Sequence, residues 1–419
     1  MGKAVKKSRE IGATERKFIM KKVLLLGGSR YILPVIDACH QLGYLAITCD
    51  YLPDNVAHKY SDAYYNVSIV DKEAVLELAK ALCVDGIMSF ACDPGVETMA
   101  YVCEKLGLPC VGSYQSVLTL QDKVLFRKFL AENGFNVPKA KGYASIDEAI
   151  SDEKAFHWPV IVKPADSAGS KGVTRVNHIS GLEAAANYAM GYSKTKRFIV
   201  EEFIQQEGCA SDTDSFSIDG ELVFASFANQ RFDKNASNPY TPSAYSWPSG
   251  MPEDVQKQLR DELQRLFRLL NLKTSIYNIE TRLGTDGKPY IMEVSPRGGG
   301  NRLAEMLRYA TGTDLILNAV RAAVGDKIQG VDADPSYNGC WAEVILHADE
   351  DGSYDGLWIA PSIADSVVEE DLWVQSGDQV RSFTGANEAI GTLVLRFDSC
   401  EQLETVMDNI SNYIRVKTK

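Results

Sequence analysis

The residues best suited to chemistry lie between Tyr277 and Arg302, where two glutamates flank a turn signal and two arginines follow. Asp286-Gly287 sits between two apolar runs, a strong short-range mark of a β-hairpin. A two-residue turn there makes Thr285 face Lys288 and brings Glu280 opposite Glu293. The same register pairs Asn278 with Ser295 and Arg282 with Ile291 on the glutamate face, while Ile279, Thr281 and Leu283 meet Val294, Met292 and Tyr290 on the other. Opposed residues have Cβ atoms ~5 Å apart, and at an effective dielectric of about 20 two full charges there repel by ~3 kcal/mol. A shared proton or splaying into water relieves that cost. So does a hard cation: Mg²⁺ takes one or two carboxylates and fills its shell with water and nucleotide phosphates, and Ser295 offers a third oxygen. Arg297 and Arg302, separated by Gly298-Gly299-Gly300-Asn301, then supply forked donors for phosphoryl or carboxylate oxygens.

Basic residues upstream match that chemistry. Trp158 to Pro164, WPVIVKP, reads as a buried strand, and a lysine in so apolar a run must snorkel or meet an anion. Asp166 to Gly172 is a loop of small residues whose amides can close on phosphate oxygens, without the G-x-x-x-x-G-K-[ST] order of a P-loop. Lys123 follows Asp122, a candidate N-cap for a helix to Asn133 that stops at Gly134; alone, it reads as a solvated helix lysine. In Arg197 to Ile204, RFIVEEFI, Glu201 and Glu202 point to opposite faces of a strand. Ser211-Asp212-Thr213-Asp214 opens the next strand, where Asp212 or Asp214 touches substrate or caps a turn.

In order, Lys123, Lys163, the glycine loop, Glu201, Glu280, Glu293 and Arg297 resemble the ATP-grasp superfamily, whose E...E-x-N-P-R ending is similar to Glu280 followed by EVSPRGGG. The resemblance implies an enzyme that uses ATP and Mg²⁺, or Mn²⁺, to join a small carboxylate to an amine or thiol through an acyl phosphate, releasing ADP and phosphate. It implies that Lys123 and Lys163 hold the α/β-phosphates, that Ser167, Gly169, Ser170 and Gly172 form a flap, and that Glu201, Glu202, Phe203 and Ile204 form the adenine hinge. Glu280, Glu293 and Ser295 become the metal ligands, Arg297 stabilises the transferring phosphoryl and Arg302 holds the substrate carboxylate. Two departures stand out. Ser295 replaces the usual asparagine, and Gln205-Gln206-Glu207-Gly208-Cys209 replaces the usual ribose-binding segment, leaving Glu207 as the candidate there. A small-molecule kinase of the same fold, a non-catalytic ATP-binding module and a nicotinamide oxidoreductase are the rival readings.

The elements that must position these residues follow from periodicity. Val23 to Leu26, then Gly27-Gly28-Ser29, a helical stretch and Tyr44 to Cys49 read as βαβ, without a full G-x-G-x-x-G. Repetition of that pattern predicts a doubly wound parallel sheet over 21–118. The resemblance extends this to a Rossmann-like first domain, an ATP-grasp domain over 119–325 with a mobile lid at about 135–203, and a small β-rich domain over 326–419 in the biotin carboxylase-like arrangement, with a homodimer as the implied assembly. Residues 228–252 read as a long irregular loop that either lines the acceptor or acid pocket or serves as a surface clasp, followed by an amphipathic helix from Glu253 to Leu270. Beyond Cys340 the strands CWAEVIL, DLWV and GTLVLRF and a helix from Glu401 to Ile414 are predicted, with His347 structural.

At 419 residues the chain has room for about three domains. Its net charge of −12 argues against nucleic acid as partner. No apolar run approaches the ~18 residues of a membrane span, so a cytoplasmic protein is expected. Nine cysteines without a C-x-x-C predict reduced thiols, with neither a disulfide framework nor a zinc site. Met1 to Met20, rich in lysine and arginine, reads as a disordered leader.

Overall fold

The computed structural model describes residues 20–333 and 335–419; all but the last residue of the basic leader lies outside them. Four parallel strands form the first sheet, in the spatial order Ala63–Tyr65, Leu45–Cys49, Lys22–Leu26 and Gly86–Met88. A sheet covered on both faces needs continuous apolar strands. Val23 and Leu25 accordingly pack with the helix Leu33–Gln41, while Leu24 and Leu26 face the helices Lys72–Leu82 and Asp93–Leu106.

Two antiparallel sheets follow. One sets Ala140–Tyr143, Phe198–Glu202, Val160–Pro164 and Thr174–Val176 side by side, backed by the helix Leu182–Tyr192 with a core of its own around Val160, Val162, Phe198 and Val200. The other sets Glu221–Ala225, Ser211–Ile218, Ser275–Leu283 and Pro289–Ser295 side by side. The helix Glu253–Leu269 covers it with Leu259, Leu263, Leu266 and Phe267, the apolar stripe its spacing predicts.

Residues 228–252 are not the irregular loop expected. Asn229–Phe232 and Pro242–Trp247 are strands, and they complete a five-stranded sheet with Cys340–Leu346, Gly391–Phe397 and Val367–Leu372. Every residue of Cys340–Leu346 is buried, so this strand needs a neighbour on each side, and Pro242–Trp247 supplies one. Tyr245 and Trp247 go into the core beneath it. The last helix is only Cys400–Met407, and Gly352–Ile359 and Ile414–Thr418 are strands of a further small sheet that the sequence did not announce. Cys340 and Cys400 are joined by a disulfide, which corrects the expectation of reduced thiols throughout; the seven other cysteines are free. His347 stacks on Phe383 and bonds the Ile345 carbonyl and Asp233. Among the described residues no helix is long and apolar enough to cross a membrane.

Candidate active site

The hairpin pairs Asn278 with Ser295, Ile279 with Val294 and Glu280 with Glu293. Beyond Glu280 the register differs from expectation: Thr281 faces Ile291, Arg282 faces Tyr290 and Leu283 faces Pro289. The turn is one residue longer than a two-residue loop. Gly284 N donates to Lys288 O at 2.9 Å and Gly287 N to Gly284 O at 2.9 Å, with Gly287 left-handed at φ 75°, the three-residue pattern that ends on a glycine bulge. Met292 is then an extra residue that shifts the register back. Its carbonyl accepts Arg127 Nη1 at 2.8 Å.

Glu293 lies between cationic and hydroxyl partners. Lys123 Nζ is 3.2 Å from its Oε2, and Ser295 Oγ donates to Oε1 at 3.3 Å. Burial pushes the Glu293 carboxyl up, but Lys123, Lys163 and Arg297 outweigh it and hold the group at about 2. Lys123 also donates to the Ser167 carbonyl at 2.9 Å, tying the glycine loop to the acidic hairpin. That loop carries positive φ at Gly169, Ser170 and Gly172, and Ser170 Oγ donates to Tyr240 O at 2.9 Å. A Cβ on Gly172 would lie 2.9 Å from Pro164, so this glycine is needed for close approach as well as for its backbone. Glu280 is held by Arg282, whose Nη2 lies 2.7 Å from Oε1.

Lys163 Nζ donates to Glu201 Oε1 at 2.5 Å, and Arg127 Nε donates to Oε2 at 3.0 Å. Glu201 therefore spends both oxygens on cations inside the protein and turns neither toward an adenine. Glu202, on the opposite face, accepts the His157 amide at 2.9 Å. Phe203 N donates to Pro159 O, Arg175 stacks on the Phe203 ring, and Ile204 is half-buried. Glu207 is exposed, its amide bonded to Leu283 O.

The two arginines part company. Arg297 forms a two-pronged pair with Asp93, Nε to Oδ1 at 2.9 Å and Nη2 to Oδ2 at 2.8 Å, and Nη1 reaches Asn278 Oδ1 at 3.3 Å. Arg302 turns to Glu305, Glu369 and Thr392 at the C-terminal sheet. The glycines between them serve packing: a Cβ on Gly298 would sit 2.1 Å from the Phe90 ring, and the Gly299 amide donates to Asp214 Oδ1 at 2.8 Å. Burial first, then Glu280, pushes the Asp212 carboxyl up to about 7; burial also pushes Asp214 to about 7, against the Gly299 amide and Arg297.

Sequence reasoning missed Arg127 and Asp93. Arg127 stands four residues after Lys123, on the same helix face, and that spacing was the available signal. Asp93 had none, because its partner is 204 residues away. The donor set that results is all oxygen at Glu280, Glu293 and Ser295, with Lys123 and Lys163 beside it, a combination that fits a hard divalent cation carrying a polyphosphate.

An antiparallel sheet carrying paired acidic residues, a second sheet carrying a buried lysine and a glycine loop, and a parallel sheet before them are the arrangement that the resemblance to the ATP-grasp class implies. Residues 156–305 match the model of the ATP-grasp domain. The chain is 25% identical over 288 residues to the carbamoyl phosphate synthase large chain of Halomonas eurihalina, covering 68% of this chain and 26% of that one. The chain thus spans about a quarter of the length of such curated relatives. Its fold is similar to that of the L-amino acid ligase from Bacillus licheniformis, with a TM-score of 0.79, 18% identity, and 95% and 99% of the two chains covered. It is also similar to the biotin carboxylase domain of the Hydrogenobacter thermophilus 2-oxoglutarate carboxylase, crystallised with MgADP and bicarbonate, with a TM-score of 0.72, 16% identity, and 95% and 91% covered.

Proposed function

We propose that the chain is an ATP-dependent ligase that joins a carboxylate to an amine, or to a thiol, by way of an acyl phosphate. The observation that carries this reading is the facing pair Glu280 and Glu293, with Ser295 adding an oxygen and Lys123 beside Glu293. Glu280, Glu293 and Ser295 would hold Mg²⁺, or Mn²⁺ in its place; when bound, such an ion neutralises charge on the β- and γ-phosphates. Lys123, bridging the glycine loop and Glu293, is set to hold phosphate oxygens as that loop closes. Lys163, fixed by Glu201, adds a second positive charge whose orientation is already decided. Arg297, clamped by Asp93, offers a rigid positive field to the transferring phosphoryl rather than a mobile finger. The substrate carboxylate oxygen attacks the γ-phosphorus and ADP leaves; the amine nitrogen then attacks the acyl carbon, phosphate leaves, and the amine proton passes to solvent. No side-chain nucleophile is needed, since the work is positioning and charge neutralisation.

Screening acids and amines in pairs for ADP release tests the reading. With a productive pair in hand, Glu293→Gln, which keeps the volume but loses the charge, is expected to lower ADP release about 10²-fold or more while its circular dichroism stays close to wild type and its melting stays cooperative. ADP release that continues unchanged in this variant would remove the proposal. Phosphorylation of an acceptor hydroxyl with no amine present would instead make the chain a kinase.

A further inference from the structure

The acidic row does not stop at two carboxylates. On the side away from Glu293, the strand Ser275–Leu283 pairs with Ser211–Ile218, and there Glu280 faces Asp212 while Asn278 faces Asp214. Asp212 accepts Asn278 Nδ2 at 2.7 Å on one oxygen, and Gln230 Nε2 at 3.2 Å and the Tyr245 hydroxyl at 3.2 Å on the other. Of the two aspartates only Asp212 stays partly open. Gln230 is 5% exposed, and its Oε1 has no donor although its amide nitrogen is committed to Asp212. Asp214, fully buried behind it, likewise leaves Oδ2 without a donor. Buried acceptors without donors are costly, and the two arginines that follow the hairpin are committed elsewhere: Arg297 to Asp93, and Arg302 to Glu305 and Glu369.

We propose that Asp212, with Gln230 beside it, receives the ammonium group of the acid substrate, so that the carboxylate activated at this site is that of an amino acid. The inference rests on the ligase reading above. An ammonium brings three donors and a positive charge to a place that has a carboxylate and an unserved amide oxygen. The distances agree. An α-amino acid holds its nitrogen ~2.5 Å from its carboxyl carbon, within the ~4.8 Å that separates neighbouring strands. A substrate whose carboxylate lies over Glu280 therefore reaches Asp212 one strand away with its ammonium. The attacking amine is the poorer occupant, because it must present a free lone pair and a carboxylate favours its protonated form.

The test compares each common α-amino acid with the same acid lacking its amino group, alanine against propionate and phenylalanine against 3-phenylpropionate among them. ATP, Mg²⁺ and hydroxylamine are supplied, so that any acyl phosphate is trapped as a hydroxamate. At least one amino acid is expected to exceed its des-amino partner by tenfold or more in kcat/KM, and Asp212→Asn to bring that ratio close to one. Hydroxamate formed equally from both members of every pair would leave the ligase standing and overturn the ammonium pocket. A ratio unchanged in Asp212→Asn, with a raised Mg²⁺ requirement, would make Asp212 a fourth metal ligand and overturn it as well. If no acid yields ADP or hydroxamate, the ligase reading itself falls. Calorimetry of the same pairs with ADP and Mg²⁺ then decides separately: binding by amino acids alone supports the pocket, and binding by neither or by both removes it.

Discussion

Glu201 is 3% exposed and divides its oxygens between Lys163 and Arg127. Burial alone would push its carboxyl up; Arg127 and then Lys163 reverse this and hold it at about 2. An unfolded glutamate titrates near ~4.3, so the folded value is the lower one. The stability this carboxylate contributes is therefore present above pH ~4.3 and is lost as pH falls toward 2, on the order of 3 kcal/mol. Urea unfolding followed from pH 6 to pH 2.5 is expected to show that loss, and Glu201→Gln to flatten it. Some slope will remain, because Glu293 is also held at about 2, though its 32% side-chain exposure leaves it more screened. An unaltered profile in Glu201→Gln would mean that Lys163 and Arg127 do not act on this carboxylate as their distances require.

At the scale of elements, the acidic hairpin was read correctly at Glu280 and Glu293 through two departures that cancel. The turn holds one residue more than expected, and Met292 removes the discrepancy before the glutamates are reached. Turn residues and alternation are local signals, so the hairpin, the Asp122 cap and the buried strand ending in Lys163 were legible. A bulge answers to a distant partner, here the Arg127 guanidinium on the Met292 carbonyl, and so it was not. The same holds for Asn229–Phe232 and Pro242–Trp247, whose prolines and polar residues read as a loop until the strand Cys340–Leu346 comes beside them. Arg127 thus links three elements, and Arg127→Met strands both the Met292 carbonyl and half of Glu201. The expected cost is ~3 kcal/mol or more, read as a lower urea midpoint. Adding Glu201→Met should recover part of it, since the carboxylate left uncompensated is then gone. A single variant within ~0.5 kcal/mol of wild type would show that the bulge needs no such support.

For the whole molecule, the C-terminal sheet is also part of the frame of the candidate active site. Pro242–Trp247 lies between Asn229–Phe232 and Cys340–Leu346, and Tyr245 on it donates to Asp212 in the acidic row. Gln230 on the neighbouring strand reaches the same carboxylate. Removing the chain from Cys340 onward would expose the edge of Pro242–Trp247 and uncover Tyr245 and Trp247, now 1% and 0% exposed. An open apolar edge of this kind invites pairing with other chains. A chain ending at Gly339 is therefore expected to aggregate on expression or to melt without cooperativity, even though the residues matched by the ATP-grasp model, 156–305, are all retained. If that shortened chain were instead a monomer with a sharp transition and wild-type affinity for MgADP by calorimetry, the two strands would be ornaments of the C-terminal sheet, and the orientation of Asp212 and Gln230 would owe nothing to it.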